Sequence, residues 1–294
     1  MPATQYDLHS HCIASDGTLT AVELVRHAQR QGVGVLALTD HDTTDGLAAA
    51  RAEARRWGLS LVNGVEISVT WAHDTIHVVG LNVDPAAPEL GEGLESLRHF
   101  RRWRAEEIGR RLAKKGISGA WEGALRLAGG PTVSRTHFAR YLLAAGYARS
   151  LREAFRRFLV RGKPGHVTGQ WADLAAAVGW IRSAGGQAVV AHPARYRMTN
   201  TKLKVLLGEF RDCGGTGIEV VSGSHSADDC RYMAKLANEF GLLASRGSDY
   251  HGPENTWVEL GRMAALPADV VPIWSAWTDR LAAAKPLGSS GSSQ

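Results

Sequence analysis

Short, nearly continuous runs of apolar residues recur along this chain of 294 residues. Runs of this kind, without alternation of polar and apolar positions, are typical of strands that are buried on both faces. They predict strands at QYDLHSH (5–11), VGVLALTDH (33–41), LSLVNGVEIS (59–68), TIHVVGLNV (75–83), GQAVVAHP (186–193), GTGIEVVSG (215–223) and LLASRGSDYH (242–251).

Stretches with helical periodicity separate most of these strands. Two of the helices begin with a capping box, formed by Thr20 with Glu23 and by Ser226 with Asp229. The alternation of strand and helix predicts parallel pairing, in either a barrel or a doubly wound sheet. Seven predicted strands are more than most doubly wound sheets need, so an α/β barrel is favoured.

The region from about 94 to 165 departs from this alternation, because three helical patterns follow one another with no strand between them. We therefore predict a discontinuous barrel domain, 1–97 and 164–285, interrupted by a helical insertion, 98–163. The low-complexity tail, 286–294, is expected to be disordered.

Charge separates the same two parts of the chain. Residues 98–163 hold 17 Lys/Arg and 4 Asp/Glu, a balance of +13, out of totals of 34 and 29; this leaves 17 and 25 elsewhere, a balance of −8. A basic block beside an acidic body suits a segment that binds a polyanion, and it suits equally a solvated arginine-rich surface.

Composition bears on location. The chain has no apolar run long enough for a transmembrane helix, and its N-terminus, MPATQYDLH, lacks the features of a secretory signal. Its three cysteines, Cys12, Cys213 and Cys230, form no C-x-x-C pair. We expect a protein of the reducing cytoplasm that does not contact membranes.

Histidines and carboxylates fall at the ends of the predicted strands, where barrels place their active sites. His9 and His11, at i and i+2 on one strand, point to the same side. The candidate metal ligands are His9, His11, Asp16, His41, Glu66, His77, His192, Asp249 and His251. A single histidine of this kind is usually structural, but the whole set suits two or three ions. Nitrogen and carboxylate ligands favour manganese first, with iron and zinc as alternatives.

Two further observations belong to this set. His77 is its least secure member, because a residue in the middle of a strand must point inward to serve as a ligand. Asp40 and Asp42 flank His41, where they either orient imidazoles or cap loops.

Several segments together resemble the motifs of the PHP (polymerase and histidinol phosphatase) family: DLHSHCIASDG, LALTDHD, NGVEIS, AHP and GSDYH. More narrowly, SRTHFARYL, GKPGHV, AHPARY and SGSH resemble the branch of ribonuclease AM and the 3',5'-nucleotide bisphosphate phosphatases. The resemblance implies a distorted (β/α)7 barrel with a trinuclear metal site that the helical insertion caps. It distributes the ligands as His9, His11, Glu66 and Asp249; Asp16, His41 and His251; and Glu66, His77 and His192.

Such a site suits hydrolysis of phosphate esters. Two ions about 3.5–4 Å apart can hold a bridging hydroxide and both oxygens of an in-line displacement. Glu66, Asp249 and His251 are the residues expected to act through that hydroxide. No residue can be chosen as the general acid.

A second phosphate on the substrate would need a cationic pocket without metal ligands. The candidates are Arg135, His137, Arg195, Ser224 and His225, with Lys163 as a weaker one, because guanidinium groups bind phosphate bidentately. With a 5' phosphate in that pocket and the 3' phosphate at the metals, the chain would be a 3',5'-bisphosphonucleotide phosphatase, a 5'→3' exonuclease acting on RNA 5' ends, or both. Tyr196, Trp171 and Phe138 are candidates for stacking on the base.

The sequence leaves three alternative functions open. One is a histidinol-phosphate-type phosphomonoesterase, which needs no second phosphate pocket. Another is a non-catalytic PHP module, against which the intact ligand set argues. The third is an RNA-binding protein whose barrel is structural.

Overall fold

The computed structural model describes residues 4–196 and 198–277. Within them the strands are β1 (Tyr6–Asp7), β2 (Val35–Leu38), β3 (Ser60–Trp71), β4 (Asp74–Leu81), β5 (Gln187–Val190), β6 (Gly217–Ser222) and β7 (Leu243–Gly247). The α-helices are α1 (Ala21–Arg30), α2 (Leu47–Trp57), α3 (Pro88–Ala113), α4 (Ala120–Ala128), α5 (Arg135–Ala144), α6 (Leu151–Ala154), α7 (Leu174–Ser183), α8 (Asn200–Asp212) and α9 (Ala227–Phe240). The predicted tail, 286–294, lies outside the described residues.

The strands follow one another in space in the order of the sequence, from β1 to β7. The backbone just after β1 also meets β7, since the Leu8 N–H donates to the Arg246 carbonyl at 3.0 Å and Ser10 forms a parallel bridge with Tyr250. Gly247 permits this close approach, because a Cβ there would lie 2.2 Å from the Cβ of His9. The sheet is therefore a nearly closed barrel surrounded by helices, and the predicted fold class is confirmed.

The prediction of parallel pairing was wrong for β4. This strand runs antiparallel to both β3 and β5. It follows β3 through the turn residues Ala72 and His73, which both have positive φ, 45° and 68°. A link this short can only form a hairpin, because a parallel crossover needs about a dozen residues or more. The first half of β4, which carries His77, therefore lies at the same end of the barrel as the carboxyl ends of the parallel strands.

The helices from α3 to α6 pack around a hydrophobic core of their own, which includes Ile108, Leu112, Phe138 and Leu142. α3 joins this core to the barrel, since its earlier residues, Leu90, Leu94 and Leu97, pack in the largest barrel-side core. The helical character of the 98–163 segment is confirmed, and the exact domain boundaries stay a prediction. Sequence patterns had not predicted α4 or α8.

The barrel interior is filled by small and branched apolar side chains from successive strands, such as Leu8, Val35, Val62, Val79 and Val189. Polar side chains gather instead at the end of the barrel that is formed by the carboxyl ends of the parallel strands. In the described part of the chain, no helix combines the length and the apolar character needed to cross a bilayer.

Candidate active site

Glu66 of β3 is fully buried and lies at the centre of the polar end of the barrel. Its Oε2 atom faces three imidazoles. It lies 3.2 Å from His9 Nε2, 3.3 Å from His11 Nε2 and 2.9 Å from His41 Nδ1. The two nitrogens of His9 and His11 that face it are themselves 3.1 Å apart. A single carboxylate oxygen thus meets side chains from the first two strand ends.

The second oxygen of Glu66 faces two further imidazoles. Oε1 lies 2.8 Å from His77 Nδ1 and 3.0 Å from His192 Nε2. His77, the least secure of the predicted ligands, therefore points into the barrel mouth. It can do so because β4 is antiparallel and pairs His77 with Ser68, just beyond Glu66 on β3.

Two aspartates complete the cluster from opposite sides. Asp249 Oδ1 lies 3.2 Å from His11 Nε2. Asp16 Oδ1 lies 3.2 Å from His251 Nε2 and 3.8 Å from His41 Nε2. The structure thus brings all nine predicted ligands to one end of the barrel.

The cluster suits divalent metal ions. Separations near 3.3 Å are what tetrahedral ligands about 2.0–2.1 Å from one ion would show. Several buried atoms also have no hydrogen-bond partner in the described structure, among them Asp16 Oδ1, Glu66 Oε2 and His192 Nδ1. Donor atoms converge in three groups: His11, Asp16, His41 and His251; His9, His11, Glu66 and Asp249; and His41, Glu66 and His77.

Burial and the neighbouring charges both act on the protonation of the cluster. Burial alone would raise the pKa of Glu66, but the imidazoles of His41 and His77 hold it well below its ordinary value. Burial lowers the pKa of His11 to about 3 and that of His77 to about 4. Against the effect of burial, the neighbouring carboxylates raise the pKa of His9, His41 and His251, that of His251 to about 9. Metal ions would take the place of these protons, because a histidine binds a metal in its neutral form.

Two of these ligands and a neighbouring aspartate have unusual backbone conformations. The φ angles of Asp42, His192 and Asp249 are 53°, 29° and 57°, in the left-handed region that non-glycine residues rarely adopt. Such strain costs about 1–3 kcal/mol per residue and concentrates at functional sites.

Four arginines line the cleft beside these ligands: Arg101, Arg104, Arg135 and Arg195. Arg104 is only 9% exposed, and burial, followed by the charges of Arg135 and Arg101, lowers its pKa to about 9. Within residues 4–196 and 198–277, neither Arg104 nor Arg135 forms an ion pair with a carboxylate. Arg135 is half-buried. Cations withdrawn from water without a counter-charge are costly, so this part of the cleft suits an anion.

Arg195 has a different position in the cleft. Its NH1 donates to Asp249 Oδ2 at 2.5 Å, and its side chain is about half exposed. It therefore orients a candidate metal ligand while the rest of the guanidinium faces the cleft.

The model of the PHP domain family matches residues 6–160. This chain belongs to the PHP family. It is 49% identical to the 3',5'-nucleoside bisphosphate phosphatase of Chromobacterium violaceum, over 91% of this chain and 94% of that protein. It is 46% identical to the 5'-3' exoribonuclease Rnm of Salmonella typhimurium, over 94% of each chain. It also resembles the solved structure of an amidohydrolase from Chromobacterium violaceum with bound sulfate and no metal: 47% identity, TM-score 0.91, covering 94% of this chain and 97% of that one.

In this PHP domain the helical segment reaches one of the candidate ligands directly. The Ser134 and Thr136 hydroxyls, at the start of α5, donate to Asp16 Oδ2 at 3.2 and 3.1 Å. Asp40 and Asp42, in contrast, stabilise loops. Asp40 accepts from the Ser15 hydroxyl at 2.5 Å, and Asp42 accepts from a backbone N–H and from an arginine of α3.

The predicted phosphate pocket holds only part of its candidates. His137 has no exposed surface, and its Nδ1 accepts from the Ser134 N–H at 2.9 Å, so it caps α5 and cannot touch a substrate in this conformation. Ser224 and His225 lie outside the lining of the arginine cleft, on the loop after β6, and Lys163 is exposed outside that lining as well. Helix-end sequence signals could have indicated the role of His137, because it stands three residues after a Ser N-cap.

The three aromatic candidates for stacking on the base lie in different surroundings. Phe138 is fully buried in the helical core, and the Tyr196 hydroxyl is held by backbone carbonyls of the barrel. Trp171 lines the cleft, with the guanidinium carbons of Arg101 and Arg104 at 5.0 and 5.4 Å from its ring centroid. Trp171 is therefore the candidate that a base in the cleft could meet.

Sequence reasoning missed Glu219 of β6. This buried carboxylate lies 2.6 Å from His9 Nδ1 and accepts from the His192 N–H at 2.6 Å. It thereby directs His9 Nε2 toward Glu66 and holds the backbone of a second candidate ligand. The signal was present, because a glutamate inside the apolar run GIEVV must find partners to be buried at all.

Replacing Glu219 with glutamine should weaken metal binding by roughly 10–100-fold, as expected for a carboxylate that orients a ligand histidine. The amide keeps the shape of the side chain but cannot accept from both partners. Competition with a chromophoric chelator would measure the affinity. Glu53→Gln, which changes a buried glutamate paired with Arg26 on the outer helices, is the matched control. Equal affinities in the two variants would contradict this role.

Proposed function

We propose that this chain is a metal-dependent phosphoesterase that hydrolyses the 3' phosphate ester of 5'-phosphorylated nucleotides. It would act as a 3',5'-bisphosphonucleotide phosphatase, as a 5'→3' exoribonuclease that releases 5'-mononucleotides, or as both. The observation that carries this proposal is the presence of two different groups in one cleft: a ligand cluster that could hold metal ions for one phosphate, and arginines without a carboxylate partner among the described residues for another. The names of the two curated relatives point to the same chemistry.

Two or three divalent ions would be held by the nine candidate ligands, with Mn²⁺ proposed as the physiological ion and Fe²⁺ or Zn²⁺ as alternatives. Such ions would lower the pKa of a bound water towards neutrality, and they would neutralise the charge that develops on the phosphoryl oxygens. Glu66 would fix the spacing of the site, because each of its oxygens faces a different group of imidazoles. Asp249 and His251, which follow β7, would complete the site.

The protein's own cations would position the substrate. Arg104 and Arg135 would hold the 5' phosphate, and Trp171 would stack on the base beside them. That placement aligns the bond between the 3' phosphorus and its ribose oxygen for in-line attack. Hydrolysis then leaves the ribose 3'-hydroxyl on the released 5'-mononucleotide. The other product is inorganic phosphate or an RNA with a new 5' phosphate.

Two alternatives fit the structure less well. A histidinol-phosphate-type phosphomonoesterase would have no use for Arg104 and Arg135, one buried and one half-buried, which have no carboxylate partner among the described residues. A non-catalytic module would have no use for a complete ligand set. We propose a cytoplasmic location as well, in agreement with the free cysteines of the described structure.

Product analysis tests the proposal directly. Purified protein supplied with Mn²⁺ should convert 3',5'-bisphosphoadenosine to 5'-AMP and phosphate, and 5'-phosphorylated RNA to 5'-mononucleotides from its 5' end. Hydrolysis of histidinol phosphate in preference to both substrates would favour the first alternative. Metal binding without any hydrolysis would favour the second.

Salt should separate the polymer from the mononucleotide. Each phosphate contacted on a single strand contributes about 0.7 to the slope of log affinity against log salt. The kcat/KM of a 5'-phosphorylated oligonucleotide should therefore fall more steeply with salt than that of 3',5'-bisphosphoadenosine. Parallel slopes between about 50 and 200 mM salt would mean that the phosphates beyond the first nucleotide contact no cationic side chains of the protein.

A further inference from the structure

We propose that a second groove, which is separate from the arginine cleft, binds the second and third nucleotides of a single-stranded RNA substrate. This β6–β7 groove is lined by Ser222, His225, Arg231, Trp257, Arg262 and Met263, among others. It lies between the loop that follows β6 and the segment that follows β7. The inference rests on the proposed function, since it concerns the part of the RNA beyond the scissile phosphate.

The position of the groove agrees with the direction in which the RNA must run. One side of the arginine cleft is held to β2 and β3 by Arg101, which donates to Asp42 at 2.5 Å and to Ser68 at 2.7 Å. The cleft extends from there to ligands that follow β5 and β7, and in the strand order of the barrel the β6–β7 groove comes on that same far side. An RNA with its 5' phosphate on the arginines and its first internal phosphate at the ligands therefore continues toward β6 and β7.

Both walls of the groove are close in sequence to the ligand cluster. Ser222 ends β6, the strand that carries Glu219, and its carbonyl accepts from the His225 N–H at 3.0 Å. On the other side, Trp257 belongs to the segment that begins directly after His251. The chain therefore leads from the candidate metal site into each wall of the groove within a few residues.

The side chains of the groove suit a nucleotide chain. Trp257 is 78% exposed, the highest value among the large apolar side chains of the described residues. A tryptophan so exposed has an indole face free to stack on a base, and such stacking tolerates any base. Two arginines, Arg231 and Arg262, and the partly buried His225 line the same groove.

Charge in the groove favours phosphate as well. Arg262 is exposed and forms no ion pair with a carboxylate within residues 4–196 and 198–277, whereas Arg231 is paired with Asp228. The one carboxylate among the lining residues is Glu259, which is bound by His27 Nε2 at 2.8 Å and so is turned to another partner. An aromatic face beside a free guanidinium is the usual combination in sites for single-stranded nucleic acid.

A comparison of substrate lengths tests this inference. The kcat/KM would be measured for 3',5'-bisphosphoadenosine, for 5'-phosphorylated diadenylate and for 5'-phosphorylated tetra-adenylate. Trp257→Ala should lower the value for the tetranucleotide about tenfold, because one stacked base is lost. It should leave the value for the bisphosphonucleotide unchanged, since that substrate ends at the ligand cluster. Arg262→Ala should act in the same direction and should flatten the salt dependence of the tetranucleotide.

Trp57→Ala is the matched control, since Trp57 is a half-exposed tryptophan at the end of α2. If Trp257→Ala leaves the tetranucleotide unchanged, or slows both substrates equally, the groove does not bind RNA, and its exposed tryptophan serves another partner. A wild-type enzyme that hydrolyses the bisphosphonucleotide with no gain for longer RNA would also overturn the inference while the proposed function stands. Failure of the wild-type enzyme on every substrate would instead overturn the proposed function.

Discussion

Glu66→Gln should lower turnover by more than about a hundredfold, beyond the 10–100-fold typical of residues that only orient a ligand. The substitution keeps the volume of the side chain and removes the charge that faces imidazoles on both sides. Without it, the candidate ligands lose the carboxylate that would link the groups of donor atoms, so bound metal should decrease as well. Metal analysis of the purified variant and turnover of 3',5'-bisphosphoadenosine are the two measurements.

The control again is Glu53→Gln, a buried glutamate that pairs with Arg26 and is not part of the ligand cluster. Circular dichroism and thermal unfolding would establish that Glu66→Gln is folded. A folded variant with near-normal turnover and full metal content would contradict the central place given to this carboxylate. Loss of turnover with unchanged metal content would mean that Glu66 takes part in the reaction but is not needed to hold the ions.

Much of the barrel could be predicted because its strands are short, buried apolar runs with clear turn residues around them. The direction of β4 could also have been predicted, since so short a link after β3 excludes a parallel crossover. The hairpin was missed because Ala72 and His73 are not the Asn-Gly or Gly-rich pair that normally marks such a turn. Their left-handed conformations are imposed by the sheet and not by local preference.

The candidate site was predicted to different degrees for different residue types. Most of the ligands were accessible to sequence reasoning because they stand at or just beyond the ends of predicted strands, and the barrel brings strand ends together. His77, inside β4, reaches the cluster only because this strand is antiparallel. Arg101 and Arg104 were hidden in a block of many arginines, and only folding decides which of them turn toward the cleft. His137 looked like a phosphate ligand in sequence, but its place at N3 of α5 uses it as a cap.

A 5' phosphate on the substrate should raise kcat/KM by about 10–100-fold, because a charge-assisted hydrogen bond contributes roughly 1.5–3 kcal/mol. The physical reason is that Arg104 and Arg135 have no carboxylate partner among the described residues and would gain an anionic partner in the 5' phosphate of the substrate. Arg135→Ala should remove most of this advantage. The measurement compares 5'-phosphorylated with 5'-hydroxyl RNA, and 3',5'-bisphosphoadenosine with 3'-AMP. Arg126→Ala, an exposed arginine of the same basic block, is the control.

The pattern of losses would distinguish a positioning role from simple attraction. If Arg135 only adds positive charge, its removal should raise KM for every anionic substrate, and salt should produce the same effect. If it fixes the 5' phosphate so that the 3' phosphorus meets the candidate metal site in line, its removal should also lower kcat, and only for substrates that carry the 5' phosphate. Equal rates of the wild-type enzyme on 5'-hydroxyl and 5'-phosphate ends would show that the arginine cleft does not read the 5' end. The direction of RNA degradation, and with it the path across the barrel to β6 and β7, would then lose its physical basis.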